Sequence, residues 1–236
     1  MTTKHTVQSF ELALCGVRQD VLDMGRATRQ QLGAAIALLD DRFDDHDGRE
    51  RAAADAGSIQ AADADVDRFD QKIEQEVQRI LALRQPLADD LRSLLSCDRI
   101  ASDLERIADH AKNIAKRAGR IRDRGHRLDF TATRALADEV IAQLDAMLAA
   151  IEAGDAAAAQ VIWAYDSDID RLFEDTFDQQ LQTMCQSPDT AASCTNALFI
   201  AKALERVGDH VTNIAEDLIY WITGERLARR DTADDA

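Results

Sequence analysis

Leu104 to Ala115 reads LERIADHAKNIA, and Leu204 to Ala215 reads LERVGDHVTNIA; eight of the twelve letters agree at an offset of 100 residues. In a chain of 236 residues, such a repeat favours two like units of roughly 100 residues each over one large domain. Whatever fold serves the first half must serve the second.

Composition narrows that fold. Hydrophobic residues make up 46% of the chain, enough for two cores, while aromatics are 5% and Pro occurs twice. Strands favour aromatic and β-branched residues, and turn-rich β folds need Gly and Pro. Ala, Leu, Arg, Asp and Gln dominate instead, which points to an all-α protein.

Apolar residues recur at threes and fours, the helical period. Phe10, Leu14, Val17, Val21, Met24, Leu32, Ile36 and Leu39 mark a first helix from about residue 7, ending near DDRFDDHDG with Gly48 as its stop. A second runs from about Arg49 to Arg84 through Ile59, Val66, Phe69, Ile73, Val77, Ile80 and Leu83, and Pro86 breaks it. A third runs from about Ala88 to Arg122. The segment RDRGHRLD then forms a link that pivots on Gly125. The plan repeats: Thr131 to Ala153, stopping at Gly154; Asp155 to Gln186; and Asp189, as N-cap, to Thr223 before Gly224. Short connections imply antiparallel neighbours. The expected architecture is two tandem antiparallel three-helix bundles related by a pseudo-twofold internal repeat. The first bundle spans residues 1–123, a linker 124–128, the second bundle 129–225 and a polar tail 226–236.

The formal net charge is −16. That field repels nucleic acid and anionic membrane, and a direct phosphate site is not expected because free phosphate would meet a strongly negative surface. No apolar leader and no run of about 18 apolar residues stands out, so a cytoplasmic protein without membrane insertion is expected. Cys15, Cys97, Cys185 and Cys194 form no Cys-x-x-Cys pair and read as reduced residues on or near core faces. No Walker-type phosphate loop, G-x-S-x-G motif or Cys–His pair is present, so no enzyme is expected.

Within each dodecamer two acids stand four apart, Glu105 with Asp109 and Glu205 with Asp209, so each pair stacks on one helix face. The wheel puts this face roughly opposite the core stripe of Ile100, Leu104, Ile107, Ala111, Ile114, Ala118 and Ile121. The helix before each dodecamer repeats the spacing, with Asp63 and Asp67 in DADVD and Asp166 and Asp170 in DSDID. Like charges at this spacing cost a few tenths of a kcal/mol. Basic neighbours such as Arg106, Lys112 and Arg206 could offset that in a salt-bridged, solvated face. A cation held by hard oxygens could offset it too, because an antiparallel bundle can bring the pairs side by side. His110 and His210 lie about 100° around the helix from the acids and are not expected as ligands.

Three stretches together are specific: LALRQPLADDLR at Leu81 to Arg92, DLERIADHAKNIAKRA at Asp103 to Ala118, and ALERVGDHVTNIAEDLIYWITGE at Ala203 to Glu225. In this order and spacing the chain resembles the PhoU family of phosphate-specific transport system accessory proteins over nearly its whole length. The resemblance implies two tandem three-helix bundles whose E(D)-x-x-x-D pairs bind metal on the bundle surface, in iron clusters in some members. The implied metal ligands are Asp63, Asp67, Glu105, Asp109, Asp166, Asp170, Glu205 and Asp209, with Asn113 and Asn213 either as auxiliary ligands or as hydrogen-bond partners of the ligands. An all-oxygen site suits Mg, Mn and Ca as well as iron. The implied role is a negative regulator and adaptor. It couples the phosphate ABC transporter, through its ATPase, to the phosphate-responsive sensor histidine kinase, so that starvation genes stay off when phosphate is ample. A homodimer is implied too. A metal-loaded helical protein of metal handling, or a paralogue that regulates another process, are the alternatives. Departures from the repeat are Ala108 against Gly208, CQSP in place of RQP, and an extra acidic, Ala-rich stretch, GRERAAADAGSIQAADAD. In RQPLADDLR, Arg84 and Arg92 either cap helix ends or meet a partner.

Overall fold

The computed structural model describes residues 2–39, 46–164 and 166–227; the side chains of residues 2–9, 46–56, 58, 60, 166 and 167 lie outside that description. The described elements are α1 (Thr2–Ala37), α2 (His46–Arg84), α3 (Asp89–Asp123), α4 (Thr131–Ala153), α5 (Ala156–Ala164), α6 (Asp166–Gln186), a 3-10 turn (Pro188–Thr190) and α7 (Ala191–Thr223). Among the described residues no strand occurs.

Helices α1, α2 and α3 pack on one another, and α4, α6 and α7 do the same, with α5 against α4 and α7. The fold is therefore the expected tandem pair of helical bundles. The two units meet through α3 against α7 and α1 against α4, the pairs that correspond in the repeat. Helices α3 and α7 run antiparallel. Arg99 contacts Asp217, Asp103 contacts His210 and Arg117 contacts Asn196, so numbers fall on one helix as they rise on the other. Across α1 and α4, Arg29 Nε meets Asp145 Oδ1 at 2.8 Å and Arg26 meets Glu152 at 3.1 Å.

The core follows the periodic positions. Leu14, Val17, Val21, Met24, Leu32 and Leu39 of the first segment are buried, as are Ile100, Leu104, Ile107, Ala111, Ile114, Ala118 and Ile121 on α3. The buried side chains form one continuous cluster through both units. Burying a Leu, Ile or Val side chain contributes about 1.5–3 kcal/mol, so this cluster is the main term holding the bundles together. Gly208 serves a close approach. A Cβ there would lie 2.6 Å from Ile169 Cδ1, so an alanine would require the end of that α6 side chain to shift. Gly154 and Gly224 end α4 and α7 with φ of 64° and 76°, the left-handed conformation that glycine adopts without strain.

Several expectations need correction. Gly48 lies inside α2, which begins at His46, and is not the stop of the first helix. Residues 40–45 of the acidic DDRFDDHDG segment lie outside the described residues, as does the tail from residue 228. The expected fifth helix is carried by α5 and α6 on either side of residue 165, which is also outside the description. Asp189 does not cap α7: it sits in the 3-10 turn, and Thr190 occupies the N-cap without a side-chain bond. Pro188 favours that tighter turn by fixing its φ. Asp155 does cap α5, its Oδ1 accepting from the Ala157 and Ala158 amides at 2.9 and 3.0 Å. Leu83 is exposed, not core. Cys97 and Cys194 are buried, but Cys15 and Cys185 are exposed; all four are free. Burial pushes the Cys97 thiol up to about 12.

Arg92 resolves in favour of a cap. Its Nε donates to the Trp221 carbonyl at 3.0 Å, in the last turn of α7 and so in the other unit, and its guanidinium also pairs with Asp89. A cation at a helix C-terminus satisfies an orphan carbonyl and complements the macrodipole.

Candidate metal-binding seams

In the first unit the sequence places Asp63 and Asp67 on α2 and Glu105 and Asp109 on α3, and antiparallel packing brings them to one seam. Lys112 Nζ bridges it, 2.9 Å from Asp63 Oδ2 and 2.6 Å from Asp109 Oδ1. Gln31 of α1 adds a donor to Asp63 Oδ1 at 3.3 Å. Burial works against the Lys112 charge, but the hydrogen bonds to Asp109 and Asp63 outweigh it and hold the ammonium well above its usual range. One end of the row is thus already neutralised by a lysine of the chain.

Arg106 meets the rest of the row loosely, 3.6 Å from Glu105 Oε2 and 3.9 Å from Asp109 Oδ2. Burial raises the Glu105 carboxyl, and the Asp109 and Asp70 charges raise it further, while Arg106, 3.6 Å from Glu105, opposes them. Burial likewise raises Asp70, with Glu74, Asp98 and Asp67 adding to it, and raises Asp98, with Glu74 adding. Asp70, Glu74 and Asp98 thus belong to the seam although the sequence reading omitted them. Two signals pointed to them. Asp70 and Glu74 repeat the four-residue spacing, and Asp98 stands one heptad before Glu105.

The acid row points away from the core less fully than the wheel suggested. Asp63, Glu105, Asp109 and Glu205 are half-buried. Helix α3 touches α1, α2 and α7, so little of its circumference remains free, and the flank beside the core stripe faces α2. Asp67, Asp170 and Asp209 are exposed.

In the second unit Lys202 Nζ lies 2.7 Å from Glu205 Oε1. Glu205 Oε2 is buried and has no hydrogen-bond partner among the described residues. Neither Asp170 nor Asp209 is without an interaction. Asp166 lies on α6, its side chain outside the described residues. Asn113 is exposed, and Asn213 is turned to the other unit, donating to Asp103 Oδ1 at 3.5 Å. His110 and His210 meet between the units, ring centroids 5.6 Å apart.

The donor chemistry of both seams fits a hard cation. Every candidate ligand is an oxygen, burial and then like charges raise Asp70 and Glu105 of the first seam, and one oxygen of the second is desolvated without a hydrogen-bond partner among the described residues. Among the described residues no three His, Cys, Asp or Glu side chains converge as a ligand group in this structure.

Two like helical units, back to back, each with an acidic seam beside its last helix, define a tandem-bundle protein built on a duplicated domain. The model of the PhoU domain matches residues 21–118 and again 133–218. The chain belongs to the PhoU family. It is 35% identical over 226 residues to a phosphate-specific transport system accessory protein PhoU homolog of Caulobacter vibrioides, covering 95% of this chain and 94% of that one. A homolog of the same description from Zymomonas mobilis is 33% identical over 231 residues, covering 98% and 94%. The crystal structure of PhoU from Pseudomonas aeruginosa superposes with a TM-score of 0.83 at 30% identity, covering 92% of this chain and 100% of that one.

Proposed function

We propose that this protein is a regulatory adaptor of phosphate uptake. It contacts the ATPase of the phosphate ABC transporter and the sensor histidine kinase, on the cytoplasmic side, and keeps the starvation response off while phosphate is ample. The observation that carries this reading is the family match across both repeats, with relatives described as phosphate-specific transport system accessory proteins along nearly their whole length. An adaptor needs recognition surfaces and no reaction of its own. The turn between α2 and α3 offers one: Leu83 and Leu87 are 67% and 79% exposed there. Among the described residues no helix is long and apolar enough to cross a membrane, so contact with a transporter would run through such surfaces. A homodimer is part of the same reading.

The seams are proposed to hold metal ions: iron, or Mn, Mg or Ca. In the first unit Asp67, Asp70 and Glu105 would hold the ion, with Asp109 shared between it and Lys112, and in the second Asp170, Glu205 and Asp209. The ion would supply positive charge that clamps neighbouring helices. The raised carboxyls of Asp70, Asp98 and Glu105, raised first by burial and then by neighbouring acids, support this part of the reading.

The test is alkaline phosphatase activity in a deletion strain grown with ample phosphate. Activity should be high in the deletion and return to low with the wild-type chain. Low activity in the deletion itself would refute the adaptor. Complementation by Glu105→Ala/Asp109→Ala/Glu205→Ala/Asp209→Ala then reports whether the seams matter to signalling.

A further inference from the structure

The net charge of −16 conceals a reversal of sign at one end of α3. Residues 112–127 hold seven of the 28 Lys and Arg of the chain and one of its 44 Asp and Glu. The antiparallel crossing lays this end of α3 beside the start of α7. A cleft of about 370 Å³ opens there, lined by Arg120, Asp123 and Arg124 from α3 and its C-cap and by Asn196 from α7. Arg117 borders it, donating to Asn196 Oδ1 at 3.4 Å with its guanidinium 4.0 Å above the Phe199 ring. His126, in the link, meets Ser193 Oγ at 2.9 Å, one turn before Asn196, and so ties the link to α7 at this place.

A helix C-terminus favours cations, and this accounts for basic residues in the last turn of α3. It does not account for their crowding around a cleft. Arg117 is held below the usual guanidinium range, first by burial and then by the charge of Arg120. Among the described residues, neither Arg120 nor Arg124 is in an ion pair. In a chain this acidic, carboxylates to neutralise them are plentiful, yet the cleft contains one, Asp123.

We propose that this cleft is a binding site for a phosphate group that still carries a proton, either orthophosphate or a phosphate monoester. Guanidiniums of Arg120 and Arg124 donate in pairs to phosphate oxygens, with geometry an ammonium does not offer. Asn196 has one amide hydrogen left for the rim, since its Nδ2 donates the other to the Ala192 carbonyl at 2.7 Å. Asp123, an acceptor only, takes the hydrogen bond of a P–OH group and repels an oxyanion that has no proton to give, such as sulfate. Net charge alone disfavoured such a site. The local field, not the total, sets what a cleft attracts. The inference does not rest on the adaptor reading, and its test uses the purified full chain.

The test is calorimetric titration at low ionic strength, where exposed charges are least screened, with inorganic phosphate, AMP and sulfate in turn. Saturable phosphate binding is expected, with sulfate at least tenfold weaker. The affinity should fall at least tenfold in Arg120→Gln/Arg124→Gln and hold in Arg79→Gln, whose pairing with Glu76 lies on α2. If AMP binds as tightly as phosphate, the site takes monoesters; if it does not bind, the site is closed around the free ion. Both results support the proposal. Absence of binding by phosphate and AMP alike overturns it, as does equal affinity in the double variant. Should the double variant lose its helical circular dichroism, Asp123→Asn decides instead. Sulfate must then rise towards phosphate, and an unchanged preference refutes the site.

Discussion

His210 Nδ1 lies 2.8 Å from Asp103 Oδ1, across the interface between α7 and α3. The contact is made once. The repeat places Ala203 where a second Asp would stand, so the two halves are joined by an asymmetric bond at a nearly symmetric interface. Asp103 also accepts from Asn213, and the side chains of Asp103 and His210 are 18% and 22% exposed. Removing a mostly buried acceptor leaves its donors unpaired. Asp103→Ala is expected to cost about 1–2 kcal/mol, read as a lower urea midpoint. A midpoint equal to wild type would mean that water replaces the bond without loss.

How much of this was legible beforehand depends on the residue. The core of α3 was, because Ile100, Leu104, Ile107, Ala111 and Ile114 keep helical spacing without interruption and all are buried. The acid pairs were found by their spacing, but their orientation was not, since a helical wheel knows one helix and not the neighbours that cover it. Asp70 and Glu74 were passed over because Asp63 and Asp67 carried the same spacing a few residues earlier. The Arg120–Asn196 cleft could not be read at all. Its walls lie 76 residues apart in the chain, and only the antiparallel crossing of α3 and α7 joins them.

His110 supplies a prediction about acid. Burial lowers its pKa from 6.5 to about 4, with His210 and Arg206 adding to the effect, Asp109 opposing and Arg106 weakly adding. A lowered histidine is neutral in the fold and protonated in the unfolded chain, so it drains stability as pH falls from about 6.5 towards 4. The raised carboxyls of Asp70, Asp98 and Glu105 act with the opposite sign in acid, so the wild-type curve alone does not isolate the histidine. The difference between wild type and His110→Gln does. That difference, in urea midpoints, should shift in favour of the variant between pH 7 and pH 5. A difference that stays constant with pH would exclude the histidine as the cause.

Asp70 works the other way. Its raised pKa means that ionising it costs the fold, first by burial and then by repulsion from Glu74, Asp98 and Asp67. A carboxyl raised above its ordinary value of 3.8 stabilises below that value, and the benefit is lost as pH rises through the folded pKa. Asp70→Asn should therefore stabilise at pH 7 by a few tenths of a kcal/mol after solvent screening. The gain should vanish in acid. Added Mn²⁺ should stabilise the wild type more than the variant, because the variant has less charge to offset. Equal thermal shifts with Mn²⁺ would remove Asp70 from the metal site proposed for the seam.

The turn between α2 and α3 holds two non-glycine residues at positive φ, Gln85 and Ala88, both at 48°. Ala88, with ψ of −113°, lies where a Cβ is crowded by its own backbone. Such a conformation costs about 1–3 kcal/mol. Glycine relieves it but adds about 0.4–1 kcal/mol of entropy to the unfolded chain. Ala88→Gly should therefore be stabilising by about 1 kcal/mol, a rise of about 2–4 °C in Tm. A fall in Tm would mean that the turn is not strained at this position. If the exposed Leu83 and Leu87 are the partner surface, the same substitution should weaken repression while the protein becomes more stable, since a looser turn holds them less firmly. Stability and repression moving together would instead assign the turn a structural role alone.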